Sequence, residues 1–226
     1  MGQIAKWNHD PKGKTFSSLN EFFMSIDLPG DSGDYHLLTK GIELSANTPG
    51  MTCEIGLRRG GGTKHIIDAL AIHAPHKVHI AIDPYGNIEY EHKEGDIVRL
   101  DYTNDMRDEC LSNLYPYAWE KKINFQFFNL EDREFFKRYG DGVPVYDYKK
   151  RVEKDYSFVH FDGPHAELPL LWEIDFFLKR VTPGACWCFD DVTGYYDHDK
   201  IETVLFTAGF KLIQKTWHKA LYQYAG

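Results

Sequence analysis

Two short apolar runs of the chain end in carboxylates, as Phe161-Asp162-Gly163-Pro164-His165 and as Phe189-Asp190-Asp191. If the runs are neighbouring parallel strands, Asp162, Asp190 and Asp191 meet at one rim of a sheet. Three carboxylates so placed repel one another and are hard to keep ionised together without a cation. A hard divalent ion, Mg²⁺ or Mn²⁺, suits such oxygen ligands and leaves positions open for substrate oxygens. His165 follows Asp162 by three residues in the same loop. It reads as a base facing the same space rather than as a metal ligand.

A second group of residues precedes these. In Glu54-Ile55-Gly56-Leu57-Arg58-Arg59-Gly60-Gly61-Gly62-Thr63 the glycines let the backbone come close to a ligand and turn into a helix whose first amides can donate hydrogen bonds. Asp83 ends the next apolar run, 27 residues after Gly56, where a carboxylate could hold ribose hydroxyls. The pattern is G-x-x-x-G-G-G, not the G-x-G-x-x-G of dinucleotide sites. Glu54 would repel a pyrophosphate, yet it suits a cationic ligand or the ammonium of an amino acid.

These motifs need elements to hold them. Met51 to Gly56 reads as a strand ending at a glycine, and Thr63, Ile66, Ile67 and Leu70 mark one apolar helix face. Lys77 to Asp83 is a second strand, which completes a βαβ unit. A plausible helix lies around Tyr35 to Ser45, and another at about Asn104 to Trp119 within the polar connection Tyr85 to Lys122. Ile123–Phe128, Tyr156–Phe161 and Ala185–Phe189 read as further strands. Pro169 opens a helix carrying Leu170, Ile174, Phe177, Leu178 and Val181 on one face, stopped by Thr182-Pro183-Gly184. Phe210 to Tyr224 alternates as two closing strands. Apolar strands between amphipathic helices predict an α/β fold, a Rossmann-like, doubly wound, mostly parallel seven-stranded sheet with helices on both faces and an antiparallel C-terminal hairpin. No domain boundary is visible, so residues 1–226 read as one domain; the first fifteen are polar and read as a loose arm.

Composition narrows the function. The 226 residues are 42% hydrophobic and 27% charged, near globular averages, with a net charge of −8. That balance offers no basic footprint for nucleic acid or an anionic membrane. The start MGQIAKWNHD lacks the apolar core of a signal peptide, and no run is long enough to span a membrane, so a cytoplasmic protein is expected. Cys53, Cys110, Cys186 and Cys188 lack metal-finger spacing and read as small buried hydrophobes.

Glu54-x-Gly56-x-x-x-Gly60 resembles the first motif of the class I methyltransferases, E/D-x-G-x-x-x-G, which binds S-adenosylmethionine (SAM). The D-G-x-H of Asp162 to His165 followed by Asp190-Asp191 is similar to the metal-dependent sugar O-methyltransferases of macrolide and aminocoumarin biosynthesis. The resemblance spans roughly Leu38 to Phe210. It departs from the family at Pro164 and Ala166, where many relatives read D-G-D-H-S. It implies transfer of a methyl group from SAM to a hydroxyl of a small polyhydroxylated acceptor, with Mg²⁺ (or Mn²⁺) on Asp162, Asp190 and Asp191 and catalysis by His165 and Asp162. The implied cofactor set is Glu54, Gly56, Gly60, Gly61, Thr63 and Asp83. The adenine partner falls among Asn129, Leu130, Glu131 and Asp132, of which Asp132 is chosen. Tyr195, Tyr196 and His198 are candidates for walling the acceptor. Relatives of this kind commonly form dimers or larger assemblies, so a homo-oligomer is compatible with the resemblance. The N-terminal 45 residues are a candidate acceptor lid. Catechol-type O-methyltransferases and the cephalosporin-hydroxylase type are the alternative readings.

Overall fold

Alternate residues of the central strands face two separate cores. On one side Met51, Cys53, Ile55, Val78, Ile80, Ile82, Val159, Phe161, Trp187 and Phe189 pack together, and on the other Ala81, Phe158, Cys186, Cys188 and Leu221 do. A strand buried on both faces has no polar alternation, which is why these strands stand out as apolar runs. The computed structural model describes residues 16, 18–87, 89–93, 96–99 and 102–226. The N-terminal arm expected over the first fifteen residues lies outside them.

The elements follow in the order α1 (Leu19–Met24), α2 (His36–Leu44), β1 (Met51–Ile55), α3 (Gly61–His73), β2 (Val78–Ile82), β3 (Glu89–Lys93), β4 (Asp96–Arg99), α4 (Asn104–Glu120) and β5 (Asn124–Phe128). Then come α5 (Asp132–Tyr139), β6 (Val143–Tyr146), β7 (Lys150–Glu153), β8 (Tyr156–Phe161), α6 (Glu167–Leu178), β9 (Val181–Phe189), α7 (His198–Thr207), β10 (Phe210–Lys215) and β11 (Ala220–Tyr224). The seven-stranded sheet runs β10-β11-β9-β8-β1-β2-β5. β9, β8, β1, β2 and β5 are parallel, and β11 pairs antiparallel with both β9 and β10. Buried residues of α2, α3 and α4 cover one face and those of α5, α6 and α7 the other. This is the doubly wound architecture expected, with its antiparallel closing hairpin.

Several local readings are corrected. The helix opened near Pro169 ends at Leu178, and Val181 to Gly184 belong to β9 rather than to the helix and a stop signal. The polar connection after Tyr85 holds the hairpin β3–β4 besides α4, and the hairpin β6–β7 stands off the main sheet. His198 is not a loop residue: it is the first residue of α7, buried, with Nε2 2.8 Å from Tyr222 Oη. The four cysteines are buried and free, as expected.

Candidate functional site

The sheet's register decides which side chains meet. Gly56 N donates to Ile82 O, Asp162 N to Ile55 O, Asp190 N to Phe161 O and Asp83 N to Phe128 O, all at 2.9–3.1 Å. Those bonds set the residues just past β1, β2, β8 and β9 side by side along one rim, where the strand order reverses between β1 and β8. In open α/β sheets ligands bind at this place. Gly56 has φ of +90°, and a Cβ there would stand 1.9 Å from the Asp162 carbonyl oxygen, so only glycine lets the two loops pass this closely.

The glycine loop is tied from below and covered from above. Asp83 Oδ2 accepts hydrogen bonds from Leu57 N (2.8 Å) and Arg58 N (2.7 Å), and burial pushes its carboxyl up to about 7. Glu54 is buried beneath the start of α3, with one oxygen accepting from the Thr63 hydroxyl and the other 2.8 Å from His160 Nδ1. Burial raises the Glu54 carboxyl to about 8 and lowers the His160 imidazole to about 3, which keeps the pair uncharged. Residues 28–35 lie across the loop as a strap. A Cβ on Gly61 would meet Gly30 Cα at 2.6 Å and Pro29 O at 2.7 Å, and Arg58 Nη1 reaches Asp31 Oδ2 at 2.8 Å.

The carboxylate rim is already populated with donors. His165 Nδ1 lies 2.9 Å from Asp191 Oδ2. Asp191 adopts a left-handed backbone with φ of 51°, and the Tyr195 ring lies 5.0 Å from that of His165, tilted by 40°. Asp190 is buried with both carboxylate oxygens engaged. Its Oδ1 accepts from Ser32 Oγ (2.9 Å) and Asp191 N (2.8 Å), and its Oδ2 lies 2.5 Å from Lys219 Nζ. Burial alone would pull the Lys219 ammonium down, but Asp162 and Asp190 hold it above the ordinary lysine value. Asp162 keeps 19% exposure, and its carboxyl is pushed well up by burial and by the charge of Asp190.

Two metal arrangements can be tested against these contacts. The expected set of Asp162, Asp190 and Asp191 fits a dication held by all three poorly, because both oxygens of Asp190 are already engaged, Oδ2 by the Lys219 ammonium, and Asp191 turns Oδ2 to His165. A dication about 4 Å from the Lys219 ammonium would also be repelled by roughly 8 kcal/mol at an effective dielectric near 20. Glu54, His160 and Asp162 offer ligand atoms within 4.8 Å of one another. Both Glu54 oxygens are in hydrogen bonds, which leaves His160 Nε2, buried without a partner, 4.0 Å from Asp162 Oδ2.

No protein-family model matches the chain, and no curated protein matches it. Solved structures do. The calicheamicin methyltransferase CalS11 superposes with a TM-score of 0.55 at 10% identity, over 85% of this chain and 79% of that one. The O-methyltransferase TomG from Streptomyces achromogenes, involved in tomaymycin synthesis, gives 0.56 at 13% identity, over 91% and 85%. An O-methyltransferase from Bacillus cereus gives 0.54 at 10% identity, over 90% and 86%. The chain has the class I methyltransferase fold. At these identities the likeness speaks for the fold alone.

Within the methyltransferase fold, Glu54, Gly56, Gly60, Gly61, Thr63 and Asp83 are brought together, as are Asp162, His165, Asp190 and Asp191. Asp132 opens α5, and its carboxyl faces the buried Glu173 of α6. Asn129 Oδ1 accepts from Tyr85 N at 2.8 Å. Tyr196 donates to Asp190 O at 2.8 Å and braces the rim, while His198 packs in the core. Arg59 is exposed, whereas Arg58, partly exposed, forms the ion pair to the strap. Sequence reasoning missed Lys219, Ser32, His160 and Glu173. His160 lies two residues before Asp162 and so on the same strand face as the rim residue. Lys219 gave no signal, since a lysine before a strand in a hairpin turn is ordinarily solvated.

Proposed function

We propose that the chain is a SAM-dependent O-methyltransferase acting on a hydroxyl of a small polyhydroxylated acceptor. The observation that carries this reading is the His165–Asp191 pair, 2.9 Å apart, held beside the glycine loop at the reversal point of a methyltransferase sheet. SAM, when bound, supplies an electrophilic methyl on a sulfonium. Gly56, Gly60 and the amides opening α3 would hold its amino-acid end, Glu54 and Thr63 brace that loop from beneath, and Asp83 would serve the ribose. Asp191 holds the imidazole at Nδ1, and we assign to its other nitrogen, Nε2, the role of base, which would take the acceptor's proton as the acceptor oxygen receives the methyl group and S-adenosylhomocysteine leaves. Because the methyl would arrive already activated, the chain's residues would act mainly by positioning the acceptor and excluding water. Two structures of similar fold are compatible with this reading: CalS11 is described as a TDP-rhamnose 3'-O-methyltransferase, and TomG was crystallised with SAM.

Calorimetric titration with SAM in EDTA, followed by transfer of labelled methyl to a panel of sugars and catechols, tests the reading. Micromolar binding and label in an acceptor are expected. His165→Ala should lower transfer by about 10²–10⁴-fold, with SAM affinity unchanged. Folded protein that binds no SAM would overturn the assignment.

A further inference from the structure

The reaction above gives no role to the buried ammonium of Lys219, although it contacts an aspartate of the carboxylate rim. We propose, on the basis of that methyltransferase reading, that Lys219 is the fixed cation of the site. It holds the place a divalent metal would take at a three-aspartate rim, so that the rim is assembled and the acceptor positioned without a metal ion.

Four observations carry this. Lys219 is fully buried and contacts Asp190 Oδ2 at 2.5 Å, a charge-assisted contact inside the rim. Its position is fixed by its own turn: Lys219 N donates to Thr216 Oγ1 at 3.0 Å, and Lys219 O accepts from Thr216 N at 2.8 Å. The same turn grips the loop after the aspartates, since Val192 N donates to His218 O (3.1 Å) and Thr193 Oγ1 to Trp217 O (2.8 Å). Finally, Lys219 Nζ donates to Ser32 Oγ at 3.2 Å and lies 5.1 Å from the centre of the Tyr35 ring, while Ser32 Oγ donates on to Asp190. One ammonium thus neutralises Asp190 and docks the strap over the cofactor loop. A dication on the rim would compete with Lys219 for Asp190 and stand close to its buried positive charge.

Lys219 acts here as a positioning residue, and the test reads metal binding directly. The full chain, stripped with EDTA, is titrated with Mn²⁺ while free Mn²⁺ is followed by its paramagnetic resonance. The wild type should bind no Mn²⁺ in the micromolar range. Lys219→Met bares Asp190 beside Asp162, so it should gain one Mn²⁺ site, roughly tenfold or more tighter than any in the wild type. Its melting temperature should rise with Mn²⁺ where that of the wild type does not. Lys219→Met/Asp190→Asn removes both charges and should fold without metal and bind none, which keeps the test open if the single variant does not fold. A wild-type protein that takes up one Mn²⁺ at micromolar concentration would overturn the proposal. So would a folded Lys219→Met indistinguishable from the wild type. SAM titration of the same wild-type sample separates the two readings: absent SAM binding sinks the methyltransferase assignment, whereas the Mn²⁺ result alone judges Lys219.

Discussion

Asp83 is held in a way that makes its ionisation visible. Its Oδ2 accepts two backbone N–H groups, yet burial outweighs them and raises the carboxyl to about 7, from 3.8 in the open chain. The folded state therefore binds this proton more tightly than the unfolded state. Its contribution to stability is complete below about pH 4 and is lost as pH rises through 7, by at most about 1.4 kcal/mol for each pH unit crossed. Glu54 acts with the same sign from 4.5 to about 8. His160 acts with the opposite sign, its contribution present above 6.5 and lost as pH falls toward 3. Asp83→Asn keeps an oxygen for the two amides and removes only the ionisation. Urea midpoints between pH 5 and 8 should fall for the wild type and fall less steeply for the variant. Parallel curves would mean that Asp83 is not the buried, proton-binding group described. The residues of the glycine motif, and Asp83 with them, were readable because spacing along adjacent strands places them. The choice among Asn129, Leu130, Glu131 and Asp132 was not legible in spacing, because it rests on which way α5 opens and on Glu173 of α6, which faces Asp132.

At the scale of elements, the strap is the contact most open to a small perturbation. Gly61 is the first residue of α3 and packs against Pro29 and Gly30 at distances no side chain tolerates. Gly61→Ala favours the helix by about 1 kcal/mol, while overpacking costs about 1–3 kcal/mol at the strap. The helix should therefore persist and the strap lift. Protease cleavage within residues 28–35 should quicken, with unchanged far-ultraviolet circular dichroism and weaker SAM binding. Equal cleavage rates in variant and wild type would refute the contact. The elements that escaped sequence reading share one physical feature. The hairpins β3–β4 and β6–β7 lie off the main sheet, and α5, DREFFKRY, buries fully only Phe135. None of them carries the continuous apolar run that a two-faced sheet imposes on β1, β2, β8 and β9. Val181 to Gly184 look like a helix stop because Thr-Pro-Gly usually is one, but the start of β9 absorbs the proline and glycine next to a register shift against β8.

Across the whole molecule, the two cores share one sheet and the site draws on nearly every part of it. The glycine loop follows β1, the aspartates follow β2, β8 and β9, the strap precedes α2, and Lys219 comes from the β10–β11 turn. This long-range assembly is what the sequence could not reveal: Ser32 and Lys219 are 187 residues apart and meet over Asp190. It also makes cofactor binding a global event. A ligand that binds only the folded chain stabilises it by about 2.7 kcal/mol at a hundredfold excess over its dissociation constant. For a chain of this size each kcal/mol moves the melting temperature by about 2–4 °C. SAM at that excess should thus raise a single cooperative transition by about 5–11 °C. Amide exchange should slow together in the strap and in the β10–β11 turn, because Lys219 and Ser32 couple them. NAD⁺ should leave both unchanged, since the loop reads G-x-x-x-G-G-G and lacks the G-x-G-x-x-G spacing that cradles a pyrophosphate. Protection confined to the glycine loop, with strap and turn exchanging as before, would show that the rim is not one unit and that Lys219 does not transmit cofactor binding to the strap.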